Sequence, residues 1–356
     1  MELPFNFVAL FLFVAFILAL FKEWKSSKQV KQPPSPWKLP LIGHMHHLIG
    51  SPPHHALRKL SQKYGDLMHL QLGETSSIVI SSPRLAKEIM KTHDLAFANR
   101  AEFLSSKIIC YNSSDIAVSQ YGAYWRQMRK ICTLELLSAK NVRSFGSIRQ
   151  DEALNLITSI QALAHAGEPI NLTEKMSSYT SCMVCRAAFG KVSKDDHRKF
   201  LQLIKESLRF ASAFEVSDQF PSFKILHPLL SVKAQVVKLH HKIDRVLDKI
   251  IDQHIDNLAT TKMATGESGQ EDLIDVLLRV KDSGDLQLPI TNNNIKAVMI
   301  DVFTGGTETS STTVEWAMSE LIRNPDVMAK AQSEIRTALR GKKTIEETDI
   351  QELKYL

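Results

Sequence analysis

Residues 303–312, FTGGTETSST, combine residue types that the interior of a helix rarely holds together. A glycine inside a helix costs about 1 kcal/mol relative to alanine, yet Gly305 and Gly306 stand side by side and are followed by Glu308 and Thr309. Because glycines have no side-chain bulk, a flat ligand could lie against the backbone here. A hydroxyl beside an acid forms a short proton relay. Close packing of two helices explains the same residues equally well.

A second candidate site lies in residues 120–131, QYGAYWRQMRKI. Trp125 and Arg129 are four residues apart and therefore share one face of a helix. Arg126 and Lys130 form a neighbouring basic strip. An indole N–H and a guanidinium on one face can bind the carboxylates of a cofactor. The alternative interpretation is a basic amphipathic helix at the protein surface.

Two further groups of potential metal ligands are not predicted to bind a metal. Five histidines fall within residues 44–55, in a segment flanked by proline and glycine that we predict to be a solvated loop. A metal site needs its ligands on an ordered scaffold. Cys182 and Cys185 form a C-x-x-C without the second pair of a zinc ribbon. We interpret them as small buried hydrophobic residues.

Helices must position these residues, because helical periodicity dominates the sequence after residue 52. The longest predicted helix covers residues 292–323, with N-cap chemistry at Thr291 and a stop at Pro325. At 1.5 Å per residue this helix would be about 45 Å long and would cross the domain. Other helices are predicted at 119–131, 141–165, 171–189, 194–212, 232–258, 271–282 and 325–339, and a short β region at 67–72 and 77–81. The predicted fold class is mainly α, with one large domain.

The N-terminus predicts a membrane anchor. Leu3–Phe21 is a run of 19 residues without charge, about the length that crosses a bilayer core as a helix. Lysines follow at positions 22, 25, 28 and 31. Positive charge after the apolar run favours a retained anchor with the following chain in the cytosol, rather than a cleaved signal peptide. The predicted organisation is an anchor at 1–22, a basic and proline-rich hinge at 23–43, and a globular domain at 44–356, which the family resemblance given below implies to be catalytic.

Composition limits the function only loosely. The chain has 356 residues, 44% of them hydrophobic and 23% charged, with a net charge of +6. A basic protein suits an anionic membrane surface, nucleic acid or an acidic partner. Nucleic-acid binding is not predicted, because no segment interleaves basic and aromatic residues and because the anchor argues against it. Only four cysteines occur, which indicates a reducing compartment.

The motifs together resemble a known family. The apolar N-terminus, PPSPWKLPLIG, YWRQMRK and GGTETS, in this order and spacing, resemble a plant microsomal cytochrome P-450, a haem-thiolate monooxygenase. The resemblance covers essentially the whole chain. The sequence of residues 295–334 is most similar to the subfamily that hydroxylates terpenoids and some alkaloids.

The resemblance implies roles for individual residues. Thr309 would help to deliver protons during O–O cleavage, with Glu308 as the relay acid, and Gly305 and Gly306 would lie over the haem edge and the oxygen pocket. The haem propionates would be bound by Trp125, Arg129 and Arg100, the last less securely because Ala101 replaces a common proline. Three residues before the glycines would contact substrate: Val298, Asp301 and Val302.

The resemblance also implies partners and a location. NADPH would supply electrons through a membrane-bound reductase that docks near Arg126 and Lys130. The substrate would be an apolar small molecule. The protein would sit in the endoplasmic reticulum membrane through a single span, with its catalytic part facing the cytosol.

One expected part of the family pattern does not occur in this sequence. The family's axial cysteine lies in an F-x-x-G-x-R-x-C-x-G loop that follows an E-x-x-R helix. None of the four cysteines has that context, and ELKYL at 352–356 stands where the E-x-x-R helix should begin. No metal ligand is therefore predicted in this chain, which we interpret as a C-terminally truncated member that is inactive alone. The alternative function is a non-catalytic, membrane-anchored helical fragment that binds apolar ligands or partners.

Overall fold

The described part of the chain forms two compact units. The structure is a computed structural model that describes residues 32–211, 216–222, 232–264, 271–340, 342 and 345–355. The first unit contains the described residues up to Ala98 together with residues 216–222. The second contains the other described residues, from Asn99 onward. The predicted catalytic domain at 44–356 thus comprises two units.

The predicted anchor at 1–22 lies outside the described residues, as does the hinge up to residue 31. Among the helices that the structure does describe, none combines the length and the apolar character needed to cross a membrane.

Helices dominate both units. The α-helices in chain order are α1 (Pro53–Tyr64), α2 (Pro83–Lys87), α3 (Asp94–Phe97), α4 (Leu104–Ile109), α5 (Ala123–Ile131), α6 (Ala139–Ser144), α7 (Gly146–Ala166), α8 (Leu172–Phe189), α9 (Lys194–Ala211), α10 (Val216–Gln219), α11 (Lys233–Ala264), α12 (Leu273–Asp282), α13 (Asn292–Arg323) and α14 (Pro325–Ala338). Short π-helical turns extend α2 and α5, at Glu88–Thr92 and Cys132–Leu136. Short 3-10 helices lie at Met45–Leu48 and Asp349–Glu352.

A two-stranded antiparallel sheet forms the centre of the first unit. Strands β1 (Leu67–Leu72) and β2 (Thr75–Ile80) pair from Leu67 opposite Ile80 to Leu72 opposite Thr75. The prediction of a β region here is confirmed, with β2 beginning two residues before the predicted position 77. Met68 and Leu70 are fully buried and pack against α1 and the 3-10 helix.

His44 corrects the prediction of a solvated loop at 44–55. Its side chain is only 1% exposed. The ring Nδ1 accepts the backbone N–H of Gln71 at 2.6 Å, and Nε2 lies 2.9 Å from the carbonyl oxygen of Pro36. Nε2 must therefore carry the proton, which makes this imidazole neutral. Burial also lowers the pKa of His44, which favours the neutral imidazole. His44 ties the proline-rich segment to β1, so the interpretation as a solvated loop is wrong for this residue. The prediction of a loop is also wrong for His54 and His55, which lie in the first turn of α1.

Helix α13 runs through the core of the second unit and packs along α8. Its 32 residues make it about 48 Å long. Phe303 is fully buried at the midpoint, with ring centroids 4.9 Å from Phe200 and 6.1 Å from Phe189. The ends match the predicted signals: Thr291 is the N-cap, and its backbone N–H donates to Asn294 Oδ1 at 2.7 Å.

Three other predictions of helices need correction. The helix predicted at 141–165 is divided into α6 and α7 by Phe145, whose buried side chain belongs to the core. The helix predicted at 119–131 begins later, at Ala123, because residues 114–118 form an anchored loop. The helix predicted at 232–258 extends to Ala264.

Candidate active site

Gly305, Glu308 and Thr309 lie on one open side of α13. All three are exposed, and the spacings of three and four residues place them on a common helical face. The Thr309 hydroxyl donates to the carbonyl oxygen of Gly305 at 2.6 Å. A Cβ added at Gly305 would meet no atom within 4 Å. A flat group could therefore approach the backbone here without meeting a side chain.

Gly306 points to a different environment. A Cβ at this position would lie 2.8 Å from Cγ2 of Val184 on α8. The next residue, Thr307, is 3% exposed, and its hydroxyl has no hydrogen-bond partner among the described residues. Gly306 thus permits close packing of α13 on α8. Space for a flat ligand is therefore found at Gly305, whereas close packing of two helices is found at Gly306.

Trp125 and Arg129 lie together on α5, as their spacing predicts. The Arg129 guanidinium stands over the Trp125 ring at 5.2 Å from its centroid. Arg129 is exposed, and no carboxylate in the described ranges forms an ion pair with it, so it can receive an anionic group. The indole N–H of Trp125 donates to the backbone carbonyl of Ile116 at 3.0 Å. A cofactor carboxylate at this N–H would therefore have to share or replace that contact.

Arg100 is held beside the start of α5. Its carbonyl oxygen accepts a hydrogen bond from Gln120 Nε2 at 2.7 Å. The neighbouring Asn99 accepts the backbone N–H of Tyr121 through Oδ1 at 3.2 Å. The guanidinium of Arg100 is on an exposed residue. These two hydrogen bonds hold residues 99 and 100 next to the start of α5, the helix that carries Trp125 and Arg129.

The three predicted substrate residues differ in accessibility. Val298 is fully buried in the hydrophobic core. Val302 is partly buried and packs against that core. Asp301 is half-buried and accepts the backbone N–H groups of Ile116 at 2.7 Å and Ala117 at 3.2 Å. Asp301 therefore joins α13 to the loop before α5.

Asp115 is a part of this site that the sequence analysis missed. It is 1% exposed and lies in hydrogen-bonding contact with Asp301. Burial and the negative charge of Asp115 raise the pKa of Asp301 to about 7. The only signal in the sequence is an acidic residue in an otherwise uncharged segment, SSDIAVSQ at 113–120, which does not reveal its partner.

The four cysteines lie in surroundings that keep them protonated. Burial raises the pKa of Cys132 and Cys185 to about 12 and also raises those of Cys110 and Cys182. All four are free thiols. A cysteine that binds iron does so as a thiolate. In this fold the four side chains are neutral at pH 7.

His254, Asp272 and Asp275 form a group whose ligand atoms lie within 4.8 Å of one another. The ring contacts account for the group without a metal. Nδ1 lies 2.7 Å from the carbonyl oxygen of Ile250 and Nε2 lies 2.8 Å from Asp272 Oδ2, so both nitrogens donate and the ring is an imidazolium. Burial alone would lower the pKa of His254, but the hydrogen bond and charge of Asp272 raise it to about 9.

The sequence profile of the cytochrome P450 family matches residues 33–356, which is nine-tenths of the chain. The chain belongs to the cytochrome P450 family. It is 54% identical over 354 residues to premnaspirodiene oxygenase of Hyoscyamus muticus, covering 99% of this chain and 70% of that protein. It is 50% identical over 356 residues to tabersonine 3-oxygenase of Catharanthus roseus, with the same coverage of 99% and 70%.

The structure agrees with a cytochrome P450 fold. A zebrafish cytochrome P450 solved with progesterone superposes with a TM-score of 0.70, at 21% identity, over 85% of this chain and 68% of that one. At this identity the match shows the fold alone. The predicted mainly α architecture with a small sheet is confirmed.

Family membership makes the protein a monooxygenase that uses O2 and implies haem, with electrons from an NADPH-dependent reductase. Two features of the described residues fit a haem. The side of α13 at Gly305 is open to a flat group, and the guanidinium of Arg129 has no ion-pair partner in the described ranges.

Proposed function

We propose that the protein is a plant-type monooxygenase that inserts one oxygen atom of O2 into an apolar small molecule of the terpenoid or alkaloid class. The open side of α13 carries the proposal, because it presents a gap at Gly305 beside the paired acid and hydroxyl of Glu308 and Thr309. Relatives named as oxygenases of premnaspirodiene and tabersonine support the substrate class. They also make a non-catalytic fragment the less favoured function.

Haem, when bound, supplies the site that activates O2; the residues of this chain bind it and supply protons. Arg129 offers an unpaired guanidinium to a propionate, and we assign Trp125 and Arg100 to the same task. A bidentate guanidinium–carboxylate contact would also fix the orientation of the haem. Gly305 leaves room for the flat haem ring. Gly306 allows α8 to pack closely against α13.

The proposed proton path uses two neighbouring residues. Glu308 is exposed and can exchange its proton with solvent. The Thr309 hydroxyl, held by its 2.6 Å contact with the Gly305 carbonyl, is placed on the same side and can pass a proton on. The acid is the link to solvent, and the hydroxyl is the link to the reacting oxygen.

The substrate would be bound next to Gly305 on the N-terminal side. Val302 offers apolar surface there, and Asp301 retains partial exposure. Val298, one turn earlier, lies in the core and would act through packing. A pocket with mainly apolar walls and few polar groups selects apolar substrates.

The reductase is proposed to dock on the basic strip of α5. Arg126 and Lys130 are exposed and line a groove of about 540 Å³. Arg279, Glu135 and Asp285 also line it, but Arg279 is paired with Glu135 and Glu271, so the basic strip itself consists of Arg126 and Lys130. The groove wall is fixed, because Gln127 donates to the backbone carbonyl of Leu288 at 2.6 Å and accepts its N–H at 2.9 Å. A basic surface of this kind attracts an acidic partner.

We further propose that Leu3–Phe21 anchors the protein in the endoplasmic reticulum membrane as a single span. The 19 uncharged residues and the lysines that follow support this orientation, with the catalytic part in the cytosol.

The test is the coupling between NADPH consumption and product formation. A chimera would join this chain to the part of premnaspirodiene oxygenase that the match does not cover, and would be assayed with reductase and premnaspirodiene. Thr309→Ala is expected to lower product per NADPH by about tenfold or more, because general acid catalysis of proton transfer is lost. Consumption of NADPH would continue.

Thr313→Ala is the matched control. Its hydroxyl donates to the carbonyl four residues earlier, that of Thr309, at 2.8 Å, so it makes the same intrahelical bond one turn away. This variant should retain its coupling. Equal losses in Thr309→Ala and Thr313→Ala would contradict the assigned relay.

A further inference from the structure

The loop between α4 and α5 begins with an unusual backbone. Tyr111, Asn112 and Ser113 are consecutive non-glycine residues in the left-handed region, with φ of 51°, 60° and 57°. Left-handed backbone is unfavourable for a residue that carries a side chain. A segment of this kind persists only where its surroundings hold it in place.

Several hydrogen bonds anchor the loop. The Tyr111 hydroxyl donates to Asp244 Oδ1 at 2.8 Å, and the Tyr124 hydroxyl donates to the carbonyl of Ser114 at 2.6 Å. The contact with α13 is made by Asp301, whose Oδ2 accepts two consecutive backbone N–H groups of the loop. Among the described hydrogen bonds, those that join the backbone of residues 114–118 directly to α13 both end on this one carboxyl group.

Asp301 is not alone. The Asp115 side chain lies in hydrogen-bonding contact with it, and Asp115 Oδ2 accepts the backbone N–H of Val118 at 3.3 Å. Asp115 Oδ1 is buried and, when both groups are ionised, has no hydrogen-bond partner among the described residues. No lysine, arginine or histidine of the described residues forms an ion pair with either. Two carboxyl groups in contact without a cation do not both ionise.

We propose that Asp115 and Asp301 share a single proton and that this pair is a positioning device, which holds residues 114–118 against α13 on the N-terminal side of Gly305. The shared proton gives the buried Asp115 Oδ1 its missing partner. It also leaves Asp301 Oδ2 free to accept the two backbone N–H groups. The pair then carries one negative charge, distributed over groups that are all hydrogen-bonded.

The groups that face the pair are neutral. Among the described residues they are the thiols of Cys110 and Cys132 and the hydroxyl of Tyr124. Burial raises the pKa of each, and the negative charge of the pair raises it further. None of these three groups carries a positive charge that could take the place of the shared proton.

The pair makes the loop sensitive to pH. Its protonated form is favoured when the loop is docked, and a released loop would return Asp301 to an ordinary carboxyl pKa of about 4. Docking is therefore strongest at low pH and weakens as pH rises toward the pKa of about 7 in the docked state. Above that value both states are ionised and the dependence levels off.

A functional consequence rests on the proposed oxygenase activity. The loop borders the part of α13 that carries Asp301 and Val302, so its position would set the shape of the substrate pocket. The proton pair itself is a property of the apoprotein, and its test needs neither haem nor substrate. Failure of the pair and failure of the proposed function can therefore be distinguished.

The experiment is hydrogen–deuterium exchange of the full chain in detergent micelles at pH 5.5 and pH 8. After correction for intrinsic exchange, the amides of residues 114–118 are expected to exchange at least about tenfold faster at pH 8, since docking takes up one proton and is therefore weakened as pH rises. Peptides from α14, which contains no histidine, should not change.

Asp301→Asn is the decisive variant. The amide oxygen can accept the backbone N–H groups, and the amide NH2 can donate to Asp115, so the variant reproduces the protonated pair at every pH. It should show slow exchange at both pH values. Asp301→Ala should exchange fast at both. Asp252→Asn, which changes an exposed carboxylate on α11, is the control and should behave as the wild type.

Two results would overturn the proposal. One is wild-type exchange in residues 114–118 that does not depend on pH. The other is Asp301→Asn exchanging as fast as Asp301→Ala at pH 5.5, because the proton would then have no role in docking. Infrared spectroscopy gives a second readout: a protonated carboxyl band at pH 5.5 must be lost in both Asp301→Asn and Asp115→Asn.

Discussion

Adjacent glycines in α13 should respond oppositely to the same substitution. Gly305→Ala adds a methyl group where no atom lies within 4 Å, whereas Gly306→Ala adds one 2.8 Å from Cγ2 of Val184. Both changes remove the entropic cost of glycine in a helix, so any difference between them measures packing alone. The comparison separates a glycine that leaves room for a ligand from a glycine that lets two helices approach.

The magnitudes follow from two opposing effects. Replacing glycine with alanine inside a helix contributes about 1 kcal/mol to stability. Gly305→Ala should therefore raise the free energy of unfolding by up to about 1 kcal/mol. At Gly306 the new contact is shorter than real Cβ contacts, and overpacking costs about 1–3 kcal/mol. Gly306→Ala should therefore be neutral to destabilising, about 1–3 kcal/mol less stable than Gly305→Ala.

Denaturant unfolding of the full chain in micelles, followed by tryptophan fluorescence, measures this difference. Val184→Ala removes the atom that meets the new methyl group, so a double-mutant cycle isolates the clash. The cost of Gly306→Ala should be smaller in the Val184→Ala background by at least about 1 kcal/mol. Equal stabilities of the two alanine variants, with no coupling to Val184, would refute the assignment of Gly306 to helix packing.

Three further outcomes are expected. Protonation of His44 opposes its bond from Gln71, and burial lowers its pKa, so stability is present above about pH 6.5 and is lost as pH falls below it; unfolding between pH 7.5 and 5 should show this loss, and His44→Gln should reduce it. His254 has a raised pKa of about 9, so its contribution, about 3 kcal/mol, is present below about pH 6.5 and disappears as pH rises through 9; a stability profile that stays flat from pH 7 to 10 contradicts this. Lys296→Met leaves two carboxylates without their buried partner and should destabilise by about 3 kcal/mol, as measured by denaturant midpoint, whereas an effect within 0.5 kcal/mol is inconsistent with the ion pair.

The four thiols give a prediction for the chain by itself. Because burial keeps them protonated, the reduced protein with added haem and carbon monoxide should not show the difference band of a haem–thiolate enzyme. A clear band from the purified chain would mean that one of Cys110, Cys132, Cys182 or Cys185 becomes a ligand after rearrangement. The measurement is a reduced carbon monoxide difference spectrum.

The sequence was informative where local chemistry decides the structure. The hairpin at 67–80 and the ends of α13 depend on turn residues, alternation and caps that lie within a few residues of one another. The pairing of Trp125 with Arg129 likewise follows from a four-residue spacing. These features therefore appeared where the sequence predicted them.

Features that depend on distant residues could not be predicted. The division of the two glycines is set by Val184, more than a hundred residues away along the chain. Asp115 lies 186 positions before Asp301, and only the fold reveals that the two carboxyl groups meet. His44 was interpreted as solvated because its acceptor and donor, Pro36 and Gln71, become neighbours only when β1 forms.

The central claim is that this chain supplies the oxygen-handling side of a monooxygenase. Its most direct test is the origin of the oxygen atom in the product. The chimera with premnaspirodiene oxygenase, supplied with premnaspirodiene, reductase, NADPH and 18O2, should give a hydroxylated product that contains one 18O atom, while the other oxygen atom leaves as water. Absence of product from a chimera that binds haem, or oxygen derived from water, would contradict the account.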